Sequence, residues 1–394
     1  MKIFNKEINL DIFKKKTNVD DSKEKVIEKE PKEKFSLDVL KKKFHLDVFK
    51  KKVKPEASKE KTSVSDSKKK INLNIFKKID EMYEKIVFSR QDRDGTIFYF
   101  SPEDFSGLVC TEHSFKNKNG HKLAGYFYNY EDNIRPGRLV VFEHGMGTGH
   151  RAYMKEIVEL CKHGYMVYSY DHTGCGESEG EGTLGLSGSL SDLDDCLNSL
   201  EREPSLRGVK ISVVGHSWGG FSTMNILKYH PSLESVVSLS GFISVKDMQK
   251  TAIPFYMAPF AKNFYNVEKV ANPGYAQSCA IDVLKNTDRP ALIIHSFDDK
   301  VVPSKIHFLR AEYELSDKKN VEFMLVHGKR HNPNYTKEAV MYMDEFLADL
   351  KKKKKEGLLD TDEQKAEFIA SYEWDRMTEQ DSAVWNKIFE FLDR

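Results

Sequence analysis

Two rhythms of apolar and polar positions run along this chain, and the change between them falls near residue 110. Downstream, short and almost wholly apolar runs recur: RLVVFEH (138–144), YMVYSYD (165–171), KISVVGH (210–216), SVVSLSG (235–241), ALIIHS (291–296) and VEFMLVH (321–327). Helical patterns separate them, over about 151–163, about 188–203 and from near 217. Before them, TEHSFKN and HKLAGYFYN flank Asn119-Gly120 and predict a hairpin. Strands this apolar, spaced by helices, form a largely parallel sheet buried on both faces. The predicted class is therefore α/β. The alternation lapses over 242–290, where IPFYMAPFAKNFY (253–265) gathers aromatic, Met and Pro residues, and this stretch reads as an insertion. Beyond 331, residues 336–350 read as helix, KKKKK (351–355) as a solvated turn, and the end, WNKIFEFLDR, as a last helical stretch. This divides the chain into an extension (1–70), a main body (71–350) and a C-terminal helical extension (351–394).

Upstream, a nine-residue unit recurs as INLDIFKKK (8–16), FSLDVLKKK (35–43), FHLDVFKKK (44–52) and, less faithfully, INLNIFKKI (71–79). Each copy sets three or four apolar residues before a lysine cluster, and nine residues cannot bury a core. The connecting stretches, such as TNVDDSKEKVIEKEPKEK, have the composition of disordered chain. Residues 1–80 carry +10 and the rest of the chain −9, beneath a formal net charge of +1. Residues 1–70 thus read as a low-complexity, disordered basic extension. It is either a duplicated linker or a series of basic-amphipathic elements that dock, through residues 1–80, on an anionic membrane or a protein partner. No nucleic-acid partner is expected, because the aromatics sit in apolar clusters and no nucleic-acid fold signature accompanies them. The last copy runs into a helix whose apolar face is Ile75, Phe76, Ile79, Met82, Tyr83, Ile86 and Val87, predicted to pack on the body and mark its start.

Cysteines at 110, 161, 175, 196 and 279 are odd in number and show no CxxC or Cys/His metal-ligand spacing, which argues against a disulfide framework and against zinc. The N-terminus has no apolar run of a signal peptide, and no stretch approaches the length of a membrane span. A cytoplasmic protein is expected, with peripheral membrane association through the basic tail as the open alternative.

The chemistry concentrates after the apolar strands. Gly215-His216-Ser217-Trp218-Gly219 lies where ISVV meets the helical pattern FSTMNILKYH, and a G-x-S-x-G at a strand-to-helix turn is a nucleophile elbow. A serine hydroxyl needs a base, and the base an orienting acid, which follow the elbow in the order acid, then His. After ALIIHS, Asp298 and Asp299 compete for the acid, and the register from Ser296 to Val302 favours Asp299. After VEFMLVH, His331 is the candidate base, while His327 reads as a packed histidine. Two backbone N–H groups would hold an oxyanion: those of Trp218, next to the nucleophile, and of Met146 in HGMGTG (144–149). His144 reads as a brace for that loop, and Cys175, near the expected rim of the site, as a structural or incidental thiol. DHTGCGES is not a phosphate loop, because it lacks G-x-x-x-x-G-K-[ST]. No cofactor and no metal are expected.

His144-Gly145-x-Gly147 with Tyr153, then Asp171-His172-Thr173-Gly174-Cys175-Gly176-Glu177-Ser178-Glu179-Gly180-Glu181, then GHSWGG, together resemble the monoacylglycerol lipase/lysophospholipase branch of the α/β hydrolases, a serine aminopeptidase S33-like group. The resemblance covers roughly residues 110–350. DHTGCGES, GHSWGGFSTMN and KRHNPNYT are similar to a group of bacterial hydrolases. The resemblance implies an α/β-hydrolase fold with a short lid at 242–290. It also implies a Ser217-His331-Asp299 serine hydrolase acting on a small-molecule or lipid ester, a monoacyl lipid first. Phe255, Tyr256, Met257 and Phe260, with Phe264 and Tyr265, would line an acyl pocket or pack the lid on the body. A peptidase or thioesterase on the same triad, or a non-catalytic scaffold anchored by its basic tail, are the alternatives.

Overall fold

The computed structural model describes residues 77–147, 149–253 and 255–394, without the side chains of Phe255 and Tyr256. The first three nine-residue repeats, residues 71–76 of the fourth and the basic extension lie outside the described residues. The first described element is a helix, α1, over 77–87. It buries Tyr83 and Val87, and the Tyr83 ring stacks on Phe264 with centroids 4.6 Å apart.

The strands are β1 (Leu108–Glu112), β2 (Phe115–Lys116), β3 (Lys122–Leu123), β4 (Gly125–Tyr130), β5 (Arg138–Glu143), β6 (Met166–Tyr170), β7 (Lys210–His216), β8 (Val236–Leu239), β9 (Ala291–Ser296) and β10 (Val321–Val326). Short β2 and β3 form the hairpin around Asn119-Gly120. The other eight make one sheet in the order β1-β4-β6-β5-β7-β8-β9-β10. Only β4 runs against its neighbours; from β6 to β10 every pairing is parallel. Parallel neighbours need crossovers, which α2 (Met154–Lys162), α3 (Gly188–Glu201), α4 (Trp218–Asn225) and α8 (Ser304–Glu314) supply. Between β8 and β9 stands the insertion: α5 (Val245–Ala252), a 3₁₀ turn (Phe255–Phe260), α6 (Ala261–Ala271) and α7 (Ala280–Lys285).

The strands are apolar throughout because each serves two cores. Leu139, Val141, Val213 and Ile293 pack with Leu190, Leu193 and Leu197 of α3 and Phe221 and Met224 of α4 on one face. Val140, Phe142, Val214 and Ile294, one residue out of phase, pack on the other face with Ile157, Val158 and Cys161 of α2. That second face is completed by the last helix, α12 (Ser382–Leu392), through Val384, Trp385, Ile388, Phe391 and Leu392. Each such buried side chain is worth about 1.5–3 kcal/mol. Residues 382–392 are therefore built into the main hydrophobic core.

Between the last strand and α12, helices α9 (Lys337–Lys355), α10 (Asp362–Ala370) and α11 (Trp374–Met377) share a small core of Phe346, Leu350, Leu359, Phe368 and Met377. The lysine run at 351–355, read from sequence as a solvated turn, instead continues α9 to its end. Nothing breaks the helix before Gly357, which leaves it at φ 70°, and the four lysines of the last turn face the partial negative charge of the helix terminus. Among the described residues, no helix is long and apolar enough to cross a membrane.

Candidate active site

Strand β7 ends at His216 and α4 begins at Trp218, leaving Ser217 between them at φ 57°, ψ −110°. A residue with a side chain is held there at a cost of about 1–3 kcal/mol, and two backbone bonds fix it. Its N–H donates to Leu239 O on β8 at 2.8 Å, and its carbonyl accepts from Phe221 N at 3.0 Å. The flanking glycines are steric necessities. A Cβ on Gly215 would lie 2.5 Å from Gly219 O, and one on Gly219 would overlap the Glu143 carbonyl of β5.

His331, in the loop after β10, brings Nε2 to 2.8 Å from Ser217 Oγ and Nδ1 to 2.8 Å from Asp299 Oδ2. Arg330, beside it, stands at φ 49°. Asp299 is 5% exposed, and its Oδ1 accepts the N–H groups of Val301 and Val302 at 2.8 and 2.9 Å. His295 approaches Oδ2 at 3.3 Å. Burial alone would raise this carboxyl; attraction to His331 when it is protonated, and the hydrogen bonds of His295 and His331, outweigh it and hold the group well below the usual carboxylate range. Asp298 does not reach His331. Its Oδ1 accepts from Ser296 Oγ at 2.7 Å and Gly328 N at 2.8 Å, tying the ends of β9 and β10 together.

On the other side of Ser217, Trp218 is the first residue of α4, so its N–H is one of those a helix leaves without an internal acceptor. The loop after β5 closes on the serine: a Cβ on Gly145 would lie 3.3 Å from Ser217 Cβ, and half-buried Met146 is the next residue. His144 is fully buried and braces this loop. Its Nδ1–H donates to Gly145 O at 2.7 Å and its Nε2 accepts from His172 N at 3.0 Å. Burial, then the neighbouring charge of His172, push its pKa down to about 3. His172 behaves oppositely. Burial works against its charge, but Glu143 at 3.3 Å and Asp192 at 3.5 Å raise its pKa to about 9. His172 lies beside Trp218, with ring centroids 4.8 Å apart.

Several supports carry no motif by which sequence could have found them. His216, the variable residue before the serine, receives or gives a hydrogen bond with Tyr153 Oη at 2.9 Å, and its Nε2 contacts the backbone carbonyl of His331 at 2.8 Å. Burial, and repulsion from His331 when that ring is protonated, push its pKa down to about 3, so it stays neutral. Nε2–H is then the donor to that carbonyl. His327 is not packed inside: it follows the last residue of β10 and is exposed, its ring 5.4 Å from that of the exposed Phe297. Cys175 is fully buried rather than at a rim, and burial pushes its thiol up.

In the insertion, Met257 is buried in the main core and Phe260 packs half-buried against the same cluster. The side chains of Phe255 and Tyr256 lie outside the described residues. Phe264 packs on Tyr83, and Tyr265 is half-buried. The insertion is anchored by Glu268 of α6, fully buried, which accepts from Tyr83 Oη at 2.8 Å, Leu186 N at 2.8 Å and Ser187 Oγ at 2.9 Å. Two open cavities, about 210 Å³ beside Asp247 and Arg310 and about 460 Å³ between α2 and residues 375–385, lie apart from Ser217, Asp299 and His331. Among the described residues, no group of three or more His, Cys, Asp or Glu side chains is placed to hold a metal ion.

Residues 134–280 match the family of serine aminopeptidases, S33. No curated protein matches the chain. Among solved structures, an esterase of Pyrococcus furiosus is similar at 18% identity and TM-score 0.49, over 66% of this chain and 96% of its own. Est1E of Butyrivibrio proteoclasticus, solved with ferulic acid bound, is similar at 19% identity and TM-score 0.47, over 60% and 98%. An acylaminoacyl peptidase of Pyrococcus horikoshii is similar at 18% identity and TM-score 0.45, over 62% and 42%. These likenesses are remote, and the assignment rests on the strand order with its single reversed strand, the serine elbow at the end of β7 and the family match that spans it. By these features residues 134–280 are similar to the serine aminopeptidase S33 family.

Proposed function

We propose that this protein is a serine hydrolase that cleaves a carboxylester, a monoacyl lipid ester foremost, through an acyl-enzyme on Ser217. The observation that carries this reading is the continuous chain Ser217 Oγ, His331, Asp299, with both contacts at 2.8 Å. In the proposed cycle His331 Nε2 accepts the Ser217 proton as Oγ attacks the ester carbonyl. The N–H groups of Met146 and Trp218 receive the oxyanion. His331 then returns the proton to the departing alcohol oxygen, and a water activated by the same nitrogen releases the acid. Asp299, ionised at any ordinary pH, keeps Nδ1 protonated and Nε2 free to act as base. Each oxyanion donor is worth about 10²–10³ in turnover.

The family match favours a second reading, an aminopeptidase, because the matched family is described as one. Such an enzyme must hold a substrate's α-ammonium with a carboxylate. Here the carboxylates around the elbow pair with groups of the protein itself: Glu143 and Asp192 with His172, Asp171 with His150, and Asp298 with Ser296 and Gly328. That commitment supports a neutral acyl substrate. A fluorophosphonate probe should label wild type and not Ser217→Ala, and p-nitrophenyl esters should be turned over far faster than aminoacyl p-nitroanilides. Labelling that survives in Ser217→Ala would refute the nucleophile, and preference for the anilides would put the peptidase first.

A further inference from the structure

His331 depends on a short loop whose backbone passes through the left-handed region at Arg330, φ 49°, and such a conformation persists only where its surroundings hold it. The surroundings come from far along the chain. Lys329, 4% exposed, forms an ion pair with Asp381 Oδ2. Asn334, 1% exposed, accepts from Asp381 N at 2.7 Å through its carbonyl, and its side-chain N–H group donates to Gln380 Oε1 at 2.8 Å. Tyr335 forms a bridge with Gln380, and Thr336 N donates to Glu379 O at 3.0 Å. The gripping residues are themselves anchored. Trp385 Nε1–H donates to Gln380 Oε1 at 2.8 Å, and Asp381 Oδ1 caps α12 by accepting from Ala383 N at 2.8 Å. Through α12 the loop is referred directly to the buried face of the sheet.

We infer that residues 379–381, which the chain reaches only after the helical excursion 337–377, are positioning residues for His331. Asp381 and Gln380 clamp both ends of its loop, at Lys329 and at Asn334. This rests on the hydrolase reading above, with His331 as base. A nitrogen that must stay within hydrogen-bond reach of Ser217 Oγ through an entire cycle tolerates little displacement, and about 1 Å of misplacement can cost 10²-fold in rate. The clamp therefore sets how often His331 is in register with the serine, which enters kcat and leaves ground-state binding of the substrate alone.

The test uses the full chain. Asp381→Asn keeps a good helix cap and removes the charge facing Lys329. The expected result is a fall in kcat of about ten- to a hundredfold with KM within about twofold, and an equal fall in the rate of fluorophosphonate labelling. Asp375→Asn, which removes a surface partner of Lys155 that is 80% exposed, should leave all three unchanged. The double variant Lys329→Met with Asp381→Asn leaves no buried charge unpaired and so separates folding from positioning. It should unfold at nearly the wild-type temperature yet remain slow. A folded double variant with kcat within about twofold of wild type would overturn the inference, whatever the single variant does. Absence of labelling in wild type would instead overturn the hydrolase reading, and the positioning role with it.

Discussion

Glu156 sits on α2 with 2% of its surface exposed, and its carboxyl is only half satisfied. Oε1 accepts from Asn334 at 3.1 Å, while Oε2 has no hydrogen-bond partner. Burial dominates the hydrogen bonds that reach it and pushes its pKa from 4.5 up to about 7. The sign follows from proton binding. Between about 4.5 and 7 the folded protein holds this proton and the unfolded chain has released it, so stability falls as pH rises through that window, and the full cost is present above it. At about 1.4 kcal/mol per pKa unit the cost is on the order of 3 kcal/mol. Glu156→Gln retains an acceptor for Asn334 and cannot ionise. It should be more stable than wild type by about 2–3 kcal/mol at pH 8 and barely different at pH 5. Urea unfolding followed by tryptophan fluorescence at pH 5, 6, 7 and 8 measures this. His144, His216 and His307, each pushed down to about 3, make both proteins lose stability as pH falls below the ordinary histidine range, so their contribution cancels in the difference. A difference that stays constant from pH 5 to pH 8 would refute the reasoning, because it would mean that Glu156 releases its proton at the same pH folded and unfolded.

The two aspartates after β9 separate cleanly by their partners, Asp299 bonding His331 and Asp298 bonding Ser296 and Gly328. Asp299→Asn should lower kcat by about 10⁴ because the imidazole can then settle in the wrong tautomer; Asp298→Asn keeps the acceptor for Ser296 and Gly328 and should stay within about threefold in ester hydrolysis. If residues 1–80 bind an anionic surface, sedimentation with phosphatidylserine vesicles should carry down the full chain and not a chain lacking residues 1–70, with an effect that weakens as salt is raised. Equal sedimentation of both would dispose of a membrane role for the repeats.

The strands and the elbow were legible because their causes are local. Residues such as Val140 and Val141 must both be apolar when a strand feeds two cores, and Gly215 and Gly219 must lack side chains where two turns of backbone meet. Position after the strand also favoured Asp299 over its neighbour, since the same tight turn that lets Val301 and Val302 donate to its carboxylate aims the other oxygen at His331. His327 was misread because an apolar run shows where a strand passes but not which residue ends it. The lysines at 351–355 misled because charge looks the same on a helix as in a turn. Periodicity in WNKIFEFL marks Trp385, Ile388, Phe391 and Leu392 as one apolar face, yet it says nothing of what that face covers.

That last gap matters most for the chemistry. The loop bearing His331 ends near residue 335, and the groups that fix it arrive more than forty residues later, after a helical excursion with a small core of its own. No spacing rule links Lys329 to Asp381, because their meeting depends on where α12 sits on the sheet. Truncating the chain after α9 would leave every partner of the serine elbow in the chain, including Leu239 of β8, Phe221 of α4 and Glu143 of β5. It would strip the histidine loop of its clamp and expose Val140, Phe142 and Val214 beneath the missing helix. The conformation of Ser217 is set by residues close to it in sequence, whereas the placement of His331 depends on residues 379–392 at the far end of the chain.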